Sequence, residues 1–256
     1  MSRYFIHMAF DGTGYHGWQI QPSCKTVQEV LENALSILLQ EKIQVTGAGR
    51  TDTGVHASRF IAHFDFLKKS YSGNFSGPDD PRFLFRLNRF LPEDIVIYGI
   101  REVGSDMHAR FSAIYRTYHY QISSIKPLFN RAYSHYLYGE LDMEVMEQCC
   151  EIILNTRDFT SFSKLHSDVK NNHCKVITAH WSHMESGYLF EIKADRFLRN
   201  MVRSLAGTML EAGQGKLDAQ GFQRIVDARN RRDAGQSVPA AGLFLVDIGY
   251  EGFTYS

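Results

Sequence analysis

The sequence predicts an α+β protein built from two similar mixed lobes. The first half shows strands and helices in alternation, and the second half repeats a similar order. The chain has 256 residues, of which 44% are hydrophobic and 22% charged, so two small domains with ordinary globular cores fit its length and composition. On these observations the two halves could share one sheet or pack with a cleft between them.

Capping signals and apolar spacing predict the elements of the first half. The segment Thr26-Val-Gln-Glu29 is a capping box that starts one helix, and Pro81 suits the start of another. Alternating Phe60, Phe64 and Phe66 are typical of a strand. The strands expected in this half cover residues 3–10, 43–49, 58–66 and 95–100.

The same signals predict the second half. Asp142 can cap a helix that runs to about Asn155. The remaining elements expected are a strand over 115–123, a hairpin over 175–194, helices over 197–211 and 218–229, and a buried strand over 242–248. Segments 70–80 and 165–172 fit no fixed motif, and we expect them to influence the choice of substrate.

Composition gives weak guidance on partners and compartment. The 28 basic and 28 acidic side chains balance, so net charge gives no argument for a nucleic-acid partner. No apolar run approaches the roughly 20 residues that span a bilayer, and the apolar start of the chain is too short for a signal peptide. The four cysteines lack a Cys-x-x-Cys spacing, which favours reduced core cysteines and a cytoplasmic protein.

The segment Gly47-Ala-Gly-Arg-Thr-Asp-Thr-Gly-Val-His-Ala57 carries the strongest chemical signal. It follows a predicted strand and contains three glycines, so its backbone can turn tightly and present Arg50 and Asp52 from a rigid scaffold. Asp52 could act as a nucleophile or base, and Arg50 could contact a phosphate or a displaced base. An ordinary turn with a salt bridge or an Asx cap would use the same residues. A phosphate-cradling loop is a third interpretation, although no Gly-Lys-Ser/Thr ending follows.

Taken whole, this segment resembles the Gly-Arg-Thr-Asp-x-Gly-Val-His signature of the tRNA pseudouridine synthase A family. The other segments that match family motifs follow in family order from residue 10 to about 248: Phe10–Gln19, Asn88–Ile95, Ala109–Ala113, Arg116–Tyr120, Asp158–Phe162, Phe197–Arg203 and Ala241–Leu245. The resemblance implies the pseudouridine synthase fold, which has two similar α+β lobes, a central antiparallel-rich sheet and a cleft between the lobes. We expect the lobes to cover residues 1–104 and 105–256.

The resemblance also implies an activity. Family members are isomerases that convert uridine to pseudouridine in the tRNA anticodon stem-loop, at positions 38, 39 and 40, and act as homodimers. Asp52 matches the carboxylate that engages the nucleotide while uracil leaves its ribose and rejoins through carbon. Whether Asp52 attacks the sugar or the base stays open. No metal or redox cofactor is expected, because the reaction is an isomerisation.

Further site residues follow from the matched motifs. Arg203 corresponds to the arginine that pairs with Asp52, and Tyr118 to the tyrosine that stacks on the target uracil. Arg50 would hold the flipped nucleotide, and Leu243 or Leu245 would form an apolar wall. The other basic residues beside matched motifs, and therefore expected to contact RNA, are Arg59, Arg110, Arg116, Arg196 and Arg199.

Spacing adds two expectations about these side chains. Arg196, Arg199 and Arg203 are spaced so that we expect them to align as one basic stripe on a helix, although a solvated helix face would look the same. Arg116 and Tyr118 share one strand face by alternation, and a core tyrosine is the structural alternative. A metal site is not expected at His180 and His183, because residues three apart on a strand point to opposite faces, nor at the pair His56 and His63.

Two other classes of function remain open from the sequence. An RNA-binding module without catalysis would keep the arginines and Tyr118 but would tolerate loss of Asp52. A hydrolase of glycosidic bonds would need a second carboxylate about 5–10 Å from the first. The acids that could serve are Asp65, Asp195 and Asp247.

Overall fold

The computed structural model describes residues 1–67, 75–164 and 171–254. Parts of the two segments predicted to influence substrate choice, residues 70–74 and 165–170, lie outside this description. The described residues form nine strands and five α-helices in a mixed α/β arrangement with mostly antiparallel pairing. They group into two compact units, Met1–Ile114 with Leu245–Ser256 and Tyr115–Phe244. The predicted lobes 1–104 and 105–256 are a different division and stay a prediction.

The first unit consists of an antiparallel sheet with two helices. Its strand order is β4-β1-β3-β9, with the short β2 also paired to β3. The elements are β1 (Ser2–Phe10), α1 (Val27–Leu39), β2 (Thr46–Gly47), β3 (His56–Phe66), α2 (Pro81–Phe90), β4 (Ile95–Val103) and most of β9 (Leu243–Tyr250). β1 and β3 are the two inner strands of this order. They pair along their length, from Ser2 opposite Phe66 to Phe10 opposite Ala57.

The second unit packs three helices with a hairpin and a third long strand. Strand order is β5-β8-β7, and β6 pairs with β5 in parallel. The elements are β5 (Ala113–Ser123), β6 (His135–Tyr136), α3 (Met143–Asn155), β7 (Val176–Met184), β8 (Gly187–Ala194), α4 (Met201–Gly213) and α5 (Ala219–Ala228). None of the helices in the described ranges is long and apolar enough to cross a membrane.

The capping signals in the sequence are confirmed. Thr26 accepts a hydrogen bond from Glu29 N at the start of α1, and Asp142 accepts one from Val145 N at the start of α3. Asp80 caps α2 directly before Pro81, whose missing N–H costs nothing at a helix start. Local side-chain acceptors therefore set these helix starts as the sequence predicts.

Two predicted elements differ from the structure. The strand expected over 43–49 is only Thr46–Gly47. The helix expected over 197–211 begins at Met201, because Asn200 adopts a left-handed conformation with φ of 67° that a continuous helix cannot contain. Apolar spacing that includes Leu198 predicted a helix start at 197. Leu198 is buried although it lies in a turn before the helix, so its apolar character could not distinguish the two.

The cysteines lie in or near the core of the second unit, apart from Cys24, which is half-buried in the first. All four are free, and Cys149 and Cys150 of α3 are buried, with the Cys150 thiol 3.9 Å from the Met209 sulfur of α4. Burial raises the pKa of the Cys149 thiol to about 12, so the uncharged thiol is the stable form. The prediction of reduced core cysteines is confirmed for α3.

His63 is a buried titratable group at the centre of the first unit. Its Nδ1 accepts a hydrogen bond of 3.1 Å from Ala109 N, and its ring is 4.6 Å from that of His108. Burial, together with the charges of His108 and Arg3 and opposed by Asp65, lowers the pKa of His63 from 6.5 to about 4. Protonation would place a hydrogen on Nδ1, against the Ala109 N–H that already points at it.

The stability of the fold should therefore fall as pH decreases from about 6.5 to about 4. In that window unfolded His63 binds a proton that the folded side chain does not, at a cost on the order of 3 kcal/mol. His63→Asn keeps an acceptor for Ala109 N through Oδ1 but does not titrate there. Urea unfolding at several pH values should give a shallower dependence for His63→Asn than for wild type, and equal dependences would contradict this assignment.

Candidate active site

Asp52 lies in the loop between β2 and β3 of the first unit. Its side chain is half-buried, and that of Arg50 is exposed. Val55 N donates to Asp52 O over 3.2 Å and closes a turn in which Gly54 takes a φ of 78°. The loop therefore has the tight, positive-φ geometry that its glycines predict, with Asp52 as the first residue of the turn.

The residues that hold this loop come from the segment after β1. Trp18 N donates to Thr51 O over 3.4 Å, and Gly54 N donates to Tyr15 O over 3.2 Å. The sequence predicts that Trp18 packs under the site or in the core, but it does not indicate these backbone hydrogen bonds to the Asp52 loop. The glycines of this segment were the available signal, because closely approaching backbones require them.

The histidines singled out in the sequence have structural contacts. His56 is buried, and its Nδ1 accepts from Gly12 N over 3.1 Å. His180 and His183 lie in β7, three positions apart. In the described part of the chain, no group of three or more His, Cys, Asp and Glu side chains is placed to hold a metal ion.

Tyr118 lies on β5 of the second unit. Its half-buried ring meets Phe197 edge to face, with 5.0 Å between centroids. Arg116, two residues earlier, donates from Nη1 to Asp195 O over 2.9 Å. Alternation along β5 puts both side chains on the strand face that also carries the buried Tyr120. The structure thus brings Arg116 and Tyr118 together with the segment that precedes α4.

Arg203 lies in the first turn of α4. Its Nε donates to Val238 O over 2.8 Å, and its own carbonyl accepts from Val238 N over 3.2 Å. Tyr120 Oη donates to the next carbonyl, that of Pro239, over 2.9 Å. These bonds fix the direction of the half-buried guanidinium, because one edge of it is committed to the backbone.

The basic stripe expected on one helix is wrong. Arg196 and Arg199 precede α4 and lie in a segment without helical structure, so helical spacing does not align them with Arg203. The Arg196 backbone donates to Asp195 Oδ1 over 2.7 Å, and Arg199 O accepts from Lys164 N over 3.1 Å. The Arg199 side chain is exposed and that of Arg196 half-buried.

The remaining predicted residues have varied surroundings. Leu243 and Leu245, at the start of β9, are buried, which suits an apolar surface. Arg110 is exposed, with its guanidinium 5.6 Å from the centre of the Phe111 ring. Arg59 pairs with Asp247 over 2.7 Å, so its charge is already balanced by an acid.

The predicted residues divide between the two units. The first contains Arg50, Asp52, Arg110 and Leu245, and the second contains Arg116, Tyr118, Arg196, Arg199, Arg203 and Leu243. The first offers a carboxylate on a fixed backbone. The second offers an aromatic ring and several guanidinium groups, which are suited to a flat base and to phosphates.

Comparison with known proteins gives a consistent family. A family model described as tRNA pseudouridine synthase matches residues 154–251. The chain is 49% identical to tRNA pseudouridine synthase A of Bacteroides thetaiotaomicron, over 98% of this chain and 91% of that protein. It is 44% identical to the Porphyromonas gingivalis protein of the same name, with 98% of each chain covered.

A more distant relative extends the match. The chain is 35% identical to tRNA pseudouridine synthase A of Bacillus pumilus, over 95% of this chain and 97% of that protein. Identity at this level across nearly the whole length of both chains leaves no room for a shared motif on an unrelated fold. The chain belongs to the tRNA pseudouridine synthase A family of isomerases.

Proposed function

We propose that this chain converts uridine to pseudouridine in the anticodon stem-loop of tRNA, with Asp52 as its essential carboxylate and without a cofactor. The observation that carries this proposal is the placement of Asp52. It stands in the family signature, half-buried, on a loop whose backbone is hydrogen-bonded on both sides of it. Precise placement of one reacting group is what a reaction without metal or redox chemistry requires.

The reaction needs no external electron source. The bond between N1 of uracil and C1′ of ribose breaks, a bond between C5 and C1′ forms, the hydrogen on C5 leaves as a proton, and N1 takes up a proton. Asp52 is suited to engage the nucleotide during this exchange, by addition to the sugar, by addition to the base, or by assisting a glycal intermediate. All three routes place the carboxylate against the nucleotide and give the same product.

Residues of the second unit complete the proposed site. Tyr118 would stack on the flipped uracil, since its ring is half-buried and braced by Phe197. Arg203 would pair with Asp52, as the family motif that it matches implies, and its Nε bond to Val238 O holds the guanidinium in one direction. Leu243 or, from the first unit, Leu245 would supply the apolar wall.

The RNA would be held by arginines that contact phosphates. Base flipping costs a few kcal/mol, which phosphate contacts and stacking have to supply. Arg50 would steady the flipped nucleotide, and the exposed or half-buried residues suited to phosphate contacts are Arg110, Arg116, Arg196 and Arg199. We propose a homodimer that works in the cytoplasm and holds one tRNA with both subunits.

The structure weakens the hydrolase alternative. Each acid considered as a second catalytic carboxylate has other partners within its own unit. Asp65 binds Arg3 through two bonds of 2.8 Å, and Asp247 binds Arg59. Asp195 Oδ1 accepts from the backbone of Lys175 and of Arg196. Carboxylates held in such ion pairs and hydrogen bonds are suited to structural roles rather than to proton transfer to a leaving group.

Asp52→Asn should abolish the reaction while leaving tRNA binding intact. The amide has nearly the same shape but cannot act as nucleophile or base, so we expect the rate to fall by about 10⁴-fold or more. Tritium release from tRNA labelled at C5 of uridine measures the reaction directly, because pseudouridine formation removes that hydrogen. Filter binding measures the tRNA dissociation constant in parallel.

A matched control is Asp227→Asn on α5. Asp227 is exposed, and an asparagine there can keep the acceptor for the Gln223 side chain, which is 3.0 Å away. This variant should react at the wild-type rate. Tritium release by Asp52→Asn at a comparable rate would refute the role of Asp52. A wild-type chain that binds several tRNAs and releases no tritium would favour the binding-module alternative, whereas released free uracil would favour the hydrolase.

Substitutions at Tyr118 should separate stacking from hydrogen bonding. Tyr118→Phe keeps the ring and its edge contact with Phe197, whereas Tyr118→Leu removes both. Because stacking of a base on an aromatic side chain contributes about 1–3 kcal/mol, the leucine variant should react about 10- to 100-fold more slowly than the phenylalanine variant. Single-turnover rates with excess enzyme decide this, and equal rates for the two variants would argue against stacking.

A further inference from the structure

We infer that the segment Asp11–Trp18 is a backbone template that sets the position of Asp52, and that His56 is the positioning residue that joins template and loop. This inference rests on the proposed role of Asp52. The template contacts the loop on both sides of Asp52, at Thr51 before it and at Gly54 to His56 after it. A carboxylate between two such contacts moves only if the template moves.

On the side before Asp52, the contact depends on Gly17. This glycine has a φ of 85°, and a Cβ built on it would lie 2.3 Å from Thr51 O. Trp18 N donates to the same carbonyl oxygen over 3.4 Å. Any side chain at position 17 would therefore push the peptide group that immediately precedes Asp52.

On the side after Asp52, the contact depends on Gly12 and Tyr15. A Cβ at Gly12 would lie 2.0 Å from Val55 O, and Gly54 N donates to Tyr15 O over 3.2 Å. The turn from Asp52 to Val55 is thus pressed against the template by one close approach and one hydrogen bond.

His56 fastens this second contact. Its side chain is 2% exposed, and its Nδ1 accepts from Gly12 N over 3.1 Å. Asp11 Oδ1 lies 3.1 Å from the same nitrogen and accepts from the backbone N and Oγ1 of Thr13, at 2.9 and 2.6 Å. The imidazole is therefore the link between the start of β3 and the tight backbone of the template.

The template is itself anchored to the rest of the first unit. Tyr15 Oη donates to Asp94 Oδ1 over 2.5 Å, and Asp11 N donates to Asp94 O over 2.9 Å. Gly17 O and Trp18 O accept from the first amides of α1, those of Val27 and Gln28, at 3.3 and 3.0 Å. The buried Trp18 ring packs on Phe60 with 4.3 Å between centroids. Through the template, the backbone position of Asp52 is therefore tied to the sheet and to α1.

If the template positions Asp52, disturbing it should lower the reaction rate without lowering the affinity for tRNA. A displacement of about 1 Å at a reacting group can cost about 100-fold in rate, whereas tRNA affinity depends on many separate phosphate contacts. His56→Leu removes the acceptor for Gly12 N. His56→Asn replaces it, because asparagine Oδ1 occupies nearly the place of Nδ1. We expect the single-turnover rate to fall about 10- to 100-fold in His56→Leu and to recover largely in His56→Asn.

A glycine pair provides a matched comparison. Gly17→Ala and Gly215→Ala introduce the same side chain at similar positive φ values, 85° and 74°, but only the Cβ at position 17 meets another group within 4 Å. Both variants carry the same kind of strain from an alanine in the left-handed region. Gly17→Ala should lose about 10- to 100-fold in single-turnover rate, and Gly215→Ala should keep the wild-type rate.

Hydrogen exchange gives a readout that is independent of catalysis. The amides of Gly54 and Val55 should exchange at least about tenfold faster in His56→Leu than in wild type, and at the wild-type rate in Gly215→Ala. If wild type made no pseudouridine, the proposed function would be wrong. Hydrogen exchange at these amides would still show whether the template holds the Asp52 loop. If Gly17→Ala reacts like Gly215→Ala, or if rate and tRNA affinity fall in proportion in both His56 variants, the inference is wrong. A His56→Leu chain that does not fold leaves the glycine pair to decide.

Discussion

The close approach of two backbone segments in the first unit is the constraint on which its functional loop depends. Gly12 and Gly17 let the segment after β1 lie directly against the carbonyls of Val55 and Thr51. Hydrogen bonds from Trp18 and Gly54 fix the register of that contact. Side chains could not achieve the same closeness, since any Cβ at either glycine would occupy the place of an oxygen atom. This backbone packing determines where the loop places Asp52.

The second unit uses a different physical device to hold its polar groups. Here side chains bind backbone carbonyls: Arg203 and Tyr120 donate to Val238 and Pro239, and Arg116 donates to Asp195. In each case one N–H or O–H group of the side chain binds a backbone carbonyl, and this bond fixes the direction of the remainder of that side chain. The first unit holds a carboxylate on a rigid loop, and the second holds cationic and aromatic groups on braced strand and helix ends, which are groups suited to an RNA base and its phosphates.

Much of the fold could be predicted from the sequence because its signals are local. Thr26 and Asp142 cap their helices as expected, since the acceptor and the amide it satisfies are three residues apart. The helix predicted from 197 begins instead at Met201, because a left-handed Asn200 interrupts it. Apolar spacing could not show this, and the basic stripe that depended on it does not exist.

The sequence by itself determined the family and most element types, and it predicted candidate site residues, because ordered motifs, caps and periodicity depend on neighbouring residues. Only the tertiary structure decided which residues touch. It showed that His63 accepts from Ala109, that Asp247 is committed to Arg59, and that Gly12 binds His56. These partners are separated by 46, 188 and 44 positions. Contacts at such separations follow from strand register and backbone packing, which no local pattern encodes.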